Sequence, residues 1–509
     1  MAEGQVSSKG KGLTHSTIVG FFWSFSGVGV QAVLNFTVLA ILSRLISVAD
    51  FGLVNIANIL TVFAAMFYKL GIGPSLIQRK VLDEAHIRSG YTFTIIMSFL
   101  LTGIVWLIAP VFASFYDIPG LVNVVRAISL LFIINGSSVV ASSLNYRNLD
   151  FRIKARINFV SYVLGYGVTG IALALLGFGA WALVYASLGQ ALISSLLYIR
   201  ASPHSKKPQL NRPALADLLT YGSGLTIGKI FNTVATTADN LIVGATLGTQ
   251  AVGLYGRAYQ LMILPSRYFG QVLDTVLFTA MSKIQDQPKT LGAVYRRGVV
   301  AIALAVMPLS AFLFILAPEF ISVLLGKQWG AAVVPFKIFA FSMLFRTSYK
   351  MGESLCRASG VIFQRALRQF VFALLVIIGT LIGQRWGVTG VAAGVSVAIT
   401  LNFFYMAQLS LKITETSWTT FFLIHVPPLV ITVTVFFETW LVAGFLRSLQ
   451  WLDVAVLITA VGTTGLTVLA LIWIAPKYLL GKEGMWLLKT FGNYLPMPVR
   501  SQLDKLQYR

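Results

Sequence analysis

The chain has 509 residues, 57% of them hydrophobic and 11% charged, against about 45–50% and about 25% in soluble domains. With a mean hydropathy of +0.80, this excludes a soluble enzyme, a coiled coil and a disordered chain, and leaves a polytopic membrane protein. The net charge of +22 is that of cytoplasmic loops loaded with Lys and Arg, not of a nucleic-acid binder.

The chain opens on a polar, basic tail, residues 1–12. The apolar run over 18–42 is too long for a signal-peptide core and predicts a retained first span. Apolar runs predict five more spans near 51–70, 90–112, 121–144, 157–176 and 179–199. Six follow near 218–247, 251–279, 299–325, 331–353, 361–382 and 388–411, and two more near 421–445 and 452–474. The expected fold is all-α with 14 transmembrane helices. Two six-helix lobes, 13–201 and 214–413, flank a basic linker, 202–213; two further helices, 414–477, and a tail, 478–509, follow.

The basic residues give the orientation. Alternate loops and the two tails hold 27 of them, whereas the other loops and their flanks hold six: Arg44, Arg126, Lys327, Lys337, Arg385 and Arg447. This asymmetry fits an even number of spans with both termini in the cytoplasm. Trp181, Trp386, Trp440, Trp451, Trp418 and Trp486 fall at span ends, as an aromatic belt does.

The lobes carry a faint repeat. An offset of 201 superposes Gly52-Leu53 on Gly253-Leu254, Ala57 on Ala258 and Leu60 on Leu261. At 207, Ser75, Ile77 and Gln78 meet Ser282, Ile284 and Gln285. Six spans per lobe make the repeat parallel, about an axis along the membrane normal.

Polar residues inside spans recur at helical spacing and mark candidate cavity walls. They are Gln31 and Asn35 in span 1, and Asn55 and Asn58, with Lys69, in span 2. Span 7 has Lys229, Asp239 and Asn240; span 8 has Arg257, Gln260, Arg267, Gln271 and Asp274; span 10 has Arg346, Lys350, Glu353 and Arg357. The blander reading is hydrogen bonding between helices, with Asp239–Arg257 and Asp274–Arg267 as packing ion pairs and Lys69, Arg346, Lys350 and Arg357 snorkelling to the surface. Stripes on the first two helices of each lobe converge at the lobe interface, where basic residues outnumber acids; this favours an anionic substrate. The lone Cys356 excludes an internal disulfide, the four His lack metal-ligand spacing, and no catalytic motif is present.

Several stretches together resemble the bacterial polysaccharide transporter, or oligosaccharide flippase, family of the multidrug/oligosaccharidyl-lipid/polysaccharide exporter superfamily, closest to its colanic-acid or exopolysaccharide exporters. They are LSRLISVADFGLV (42–54), GIGPSLIQRKVLDEAHI (71–87), NYRNLDFRIKARI (145–157), GFGAWALV (177–184), ADNLIVGATLGTQAVGLYGRAYQLMILP (238–265), VLFTAMSKIQDQP (276–288) and APEFISVLLGKQW (317–329). The resemblance covers roughly residues 15–410. It implies a non-enzymatic carrier in the bacterial inner membrane, with two lobes alternating in access around a basic cavity. The cargo would be a polyprenyl-diphosphate-linked oligosaccharide; the partners would be membrane lipids and other polysaccharide assembly proteins, with no nucleic acid and no cofactor. Coupling to a proton or sodium gradient is in keeping with the family, and Asp239, Asp274 and Glu353 are the acids that would pair charges or carry it. A drug/cation antiporter of the same superfamily would need acids in its cavity, and the predicted spans of the first lobe hold none. A membrane component of a polysaccharide assembly complex would call for a soluble domain or long loop, and an enzyme for catalytic residues on a substantial outer loop; the predicted loops are short.

Overall fold

A computed structural model of the protein describes residue 29 and residues 31–69, 71–79, 81–118, 120–148, 150–272 and 278–492. It is helical throughout these residues and forms two compact units that divide between Ile230 and Phe231. Nine helical stretches among the described residues are long and apolar enough to cross a membrane, ten when a pair bent by 45° is counted as one span. Residues 18–28 and 30 of the first predicted span lie outside the described residues.

The first unit contains α1 (Gln31–Leu45), α2 (Val48–Lys69), α3 (Ile72–Gln78), α4 (Glu84–Tyr116), α5 (Leu121–Gly136) and α6 (Val139–Arg147). Then come α7 (Phe151–Val160), a π-helical stretch (Ser161–Val168), α8 (Thr169–Leu175) and α9 (Ala180–Ala201). Two polar fastenings tie distant stretches of this unit together. Ser47 and Asp50 bond each other reciprocally at the start of α2, and a Cβ placed on Gly179, at the turn into α9, would lie 3.1 Å from the Asp50 carboxylate. Only a residue without a side chain fits there at φ 52°. Arg147 closes the C-terminal end of α3 by donating to the carbonyls of Leu76 (2.9 Å), Ile77 (3.2 Å) and Arg79. Helix ends leave such carbonyls without partners, and a guanidinium supplies the donors.

Residues 203–211 run irregularly beside α4: the amides of Gln209 and Asn211 donate to Thr92 (3.0 Å) and Ser89 (2.9 Å). The His204 ring meets Tyr91 edge-on at 5.4 Å, and its burial lowers its pKa below the usual histidine value.

Helix α10 (Arg212–Val272) runs from one unit into the other and is broken only at Gly248 (φ 82°, ψ −179°). The short loop expected between spans 7 and 8 is thus a single-residue reversal. Ser47, ahead of α2, stands 201 residues before it, so each unit breaks its chain at the same place in the repeat.

The second unit continues with α11 (Phe278–Lys283), α12 (Pro288–Ile315), α13 (Ala317–Leu324), α14 (Val333–Ala358), α15 (Ile362–Gly383) and α16 (Gly387–Ile413). It ends with α17 (Trp418–Leu423), α18 (Val426–Ser448), α19 (Asp453–Ile474) and α20 (Pro476–Gly492). Helices α15 and α16 form an antiparallel hairpin held by glycine facing glycine. A Cβ on Gly379 would sit 2.7 Å from the Gly394 carbonyl, and one on Gly383 2.4 Å from the Gly390 carbonyl. Without a hydrophobic force between helices in lipid, such close backbone approach is what packs them. The first unit has its counterpart, Gly165 of the π-helical stretch against Gly189 and Gln190 of α9.

The last helices are clamped to α12 and α13 at both ends. Arg447 of α18 makes a two-pronged pair with Glu319 (2.6 and 2.8 Å) and donates to the Ile315 carbonyl. Glu483 of α20 accepts from Arg296 (3.4 Å) and Arg297 (3.2 Å), and Arg297 also lies over the Trp486 ring. Trp329, which ends the stretch 317–329, is fully buried, unlike the exposed Trp386, Trp440 and Trp451.

Two outcomes are expected. Gly383→Ala should lower thermal stability in detergent by about 1–3 kcal/mol through overpacking, whereas Gly444→Ala, with no atom within 4 Å, should be neutral or gain up to about 1 kcal/mol. The fold favours neutral His204, so its contribution is fully present above the ordinary histidine pKa of about 6.5 and is lost as pH falls through the lowered folded value. Hydrogen exchange at Gln209 and Asn211, corrected for intrinsic rate, should therefore accelerate in acid and not in base.

Candidate functional site

The polar residues of α14 fall at 346, 349, 350, 353 and 357, a spacing that puts them on one helix face. That face is turned inward: Arg346 is 4% exposed and Glu353 9%. The second arm of α10 and helix α15 supply the opposing residues.

Glu353 is the anionic centre. It accepts from Lys350 (2.8 Å), from the Tyr349 hydroxyl (3.0 Å) and from Arg365 of α15. Gln369, one turn further along α15, donates to the Tyr349 oxygen at 3.3 Å. One carboxylate therefore answers two cations.

Arg346, two turns before Glu353, has different surroundings. Its guanidinium lies over the rings of Tyr349 (5.3 Å) and Phe372 (5.7 Å), and its backbone carbonyl accepts from Ser266 of α10 at 3.1 Å. Among the described residues it makes no ion pair, and its Nε has no hydrogen-bond partner. The carboxylates whose charges act on it are Glu353 and Asp239.

Asp239 is 1% exposed. It is held across the Gly248 reversal by the Tyr255 hydroxyl (2.6 Å) and locally by both nitrogens of Asn240 (2.8 and 3.1 Å). Tyr255 stacks on Tyr259, and both meet Phe339 of α14 edge-on. The Asp239–Arg257 pair suggested by sequence is replaced by this arrangement: Arg257 donates to Gln260 three residues along its own helix. Tyr255, two residues ahead of Arg257 and so on another side of the helix, reaches the carboxylate from the face that meets Phe339 of α14.

The other sequence candidates divide. Arg346 does not snorkel; it is buried, as is Glu353, and Lys350 is half-buried. Arg267 is exposed. The side chains of Lys229 and Gln271 and all of Asp274, and with it the expected Asp274–Arg267 pair, lie outside the described residues. Gln31 donates to Asn35 at 3.0 Å in the first unit, where Asn55 and Asn58 are half-buried on α2. Sequence reading missed Tyr255, Tyr259, Tyr349 and Phe372, which read as ordinary apolar residues, and placed Arg365 in a loop. The four-residue spacing of Tyr255 and Tyr259 was the available signal.

The comparisons with known proteins bear on this helical arrangement. The polysaccharide biosynthesis protein family matches residues 41–334, more than half of the chain. The chain belongs to this family. It is 23% identical over 392 residues to the lipopolysaccharide biosynthesis protein WzxC of Escherichia coli (strain K12), covering 75% of this chain and 78% of the relative. It is also 23% identical over 353 residues to the teichuronic acid biosynthesis protein TuaB of Bacillus subtilis (strain 168), covering 68% and 72%. Among solved structures, the lipid II flippase MurJ in an inward closed conformation matches with a TM-score of 0.69 at 14% identity, over 87% of this chain and 98% of that one. An inward-facing multidrug resistance MATE family transporter matches with a TM-score of 0.55 at 15% identity, over 76% and 96%. This family member therefore has the helical membrane fold shared by MurJ and MATE proteins.

Removing the Tyr255 hydroxyl tests the Asp239 site. Tyr255→Phe should lower thermal stability by about 1.5–3 kcal/mol, the usual contribution of a hydrogen bond to a charged group. Tyr259→Phe, as its control, should cost less.

Proposed function

We propose that this protein is a flippase that carries polyprenyl-diphosphate-linked oligosaccharide or polysaccharide repeat units across the bacterial cytoplasmic membrane. The relatives WzxC and TuaB, named for lipopolysaccharide and teichuronic acid biosynthesis, support the cargo class. The single observation that carries the reading is Arg346: a buried guanidinium with no ion pair among the described residues. A diphosphate is the ligand that such a group fits, because a guanidinium binds phosphate oxygens in a two-pronged manner. Lys350, Asn240 and Arg257 would border the same anion site.

The topology proposed with this function has fourteen spans, both termini in the cytoplasm, and lobes that alternate in access around the basic cavity. The drug/cation antiporter reading is disfavoured by the same arginine, since a buried unpaired cation repels a cationic drug.

At matched protein level, Arg346→Ala should cut surface polysaccharide by about tenfold or more, the equivalent of losing a hydrogen bond to a charged group. Arg346→Lys should retain part of it, because the charge survives without the fork. Lipid-linked repeat units should accumulate in both strains. Unchanged polysaccharide output from stable Arg346→Ala protein would refute the assignment.

A further inference from the structure

The diphosphate site proposed for Arg346 borders on an anion of the protein's own. Glu353 of α14 holds a cation with each oxygen: Oε2 accepts from Lys350 (2.8 Å) and from the Tyr349 hydroxyl (3.0 Å), and Oε1 accepts from Arg365 of α15. It stands one turn beyond Lys350 and two turns, about 10 Å of helix, beyond Arg346. In the proposed topology this is the cytoplasmic end of α14, so a cargo loaded from the cytoplasm meets Glu353 before Arg346.

The cluster is built around a carboxylate and leaves room for a stronger anion. The side chains of Lys350 and Arg365 are 29% and 25% exposed, whereas that of Glu353 is 11% exposed. Both cations therefore keep a flank that a ligand can reach. Arg365 also has a donor that Glu353 does not use: its Nε is buried without a hydrogen-bond partner among the described residues. Both oxygens of the carboxylate are already taken, and a phosphoryl group brings a further acceptor. Gln369 lies beside the Tyr349 hydroxyl at 3.3 Å, so that hydroxyl keeps a neighbour when the carboxylate moves away.

Closing the turn between α14 and α15 does not call for this arrangement. One cation would do it, and α15 is already packed on α16 where Gly379 meets Gly394 and Gly383 meets Gly390. An empty anion site, by contrast, needs an anion of its own, since cations left bare inside a membrane are costly. A carrier must also let its cargo go, so the cations have to hold it firmly enough to load and weakly enough to leave.

We propose, resting on the flippase reading, that Glu353 is a built-in stand-in for a phosphate of the cargo. In the empty protein its carboxylate occupies Lys350 and Arg365. An arriving diphosphate takes these cations over with one phosphoryl group, and the returning carboxylate later drives it off. One anion is exchanged for another, so neither cation is left bare at either stage. Glu353 is thus a positioning residue that sets how tightly the anion is held, and Arg365 joins the residues that bind it.

The test measures binding of farnesyl diphosphate, with farnesol as the control, to the purified full chain in detergent. Glu353→Gln removes the competing charge and should bind farnesyl diphosphate about fivefold or more tighter than wild type. Glu353→Asp should stay close to wild type, and farnesol should bind all three alike. At matched protein level, surface polysaccharide from Glu353→Gln should fall despite the tighter binding and recover in Glu353→Asp; a residue that only fastened two helices would lose binding and export together. Inorganic pyrophosphate supplies the missing anion, so at matched ionic strength it should raise the thermal midpoint of Glu353→Gln more than that of wild type. It should also restore the variant during purification if the variant is unstable without it. Unchanged or weaker binding by Glu353→Gln, undiminished export, an equal thermal gain in both proteins, or a variant that stays unfolded in pyrophosphate would overturn the proposal. Farnesyl diphosphate binding that Arg346→Ala leaves intact would instead count against the flippase reading itself.

Discussion

Hydrocarbon offers no water to a polar group, so each one inside a span must find its partner within the protein. That constraint explains where this chain places its strongest interactions. Glu353 collects Lys350, Arg365 and Tyr349. Glu319 takes the whole fork of Arg447, and Asp239 takes Tyr255 and Asn240. Each carboxylate that is satisfied in this way joins two segments of chain, so the fastenings of the fold and its charge compensation are the same contacts. Arg346 stands out against this background because it has no ion-pair partner among the described residues.

The stretches by which the family is recognisable are not a binding motif spelled along the chain. Most of them are the sites of these fastenings. The stretch 42–54 supplies Ser47 and Asp50, against which Gly179 of 177–184 packs. The stretch 145–157 supplies Arg147, which closes the helix inside 71–87. The stretch 238–265 contains both Asp239 and Tyr255, and 317–329 contains Glu319 and the buried Trp329. In the second unit, Arg357 lies over Phe278, in 276–288, at 5.3 Å, in the place that Arg147 holds over α3 in the first. The faint sequence repeat has a physical basis in these recurring chain reversals and helix caps.

The candidate anion site follows from a helix that is polar on a buried face. Three rings and one acid organise the cations of α14 unequally. Lys350 is paired with Glu353, while Arg346 is held by aromatic faces that support a cation without cancelling its charge. A protein built to store a charge for a ligand needs this second kind of support, because an ion pair would compete with the ligand.

Composition and apolar runs by themselves determined that this is an all-helical membrane protein, because burial in lipid demands long apolar segments whatever their partners. Helical spacing alone put Arg346, Lys350 and Glu353 on one face. The resemblance of short stretches was enough for the family. Tertiary structure decided the partners. Spacing along α10 made Arg257 the natural mate of Asp239, but the reversal at Gly248 folds Tyr255 onto it instead. Arg365, read as a loop cation, reaches Glu353 only because α15 returns beside α14, and Arg447 reaches Glu319 across 128 residues of chain. Contacts of that kind depend on which helix faces meet, a three-dimensional outcome of packing that one sequence read by period does not contain.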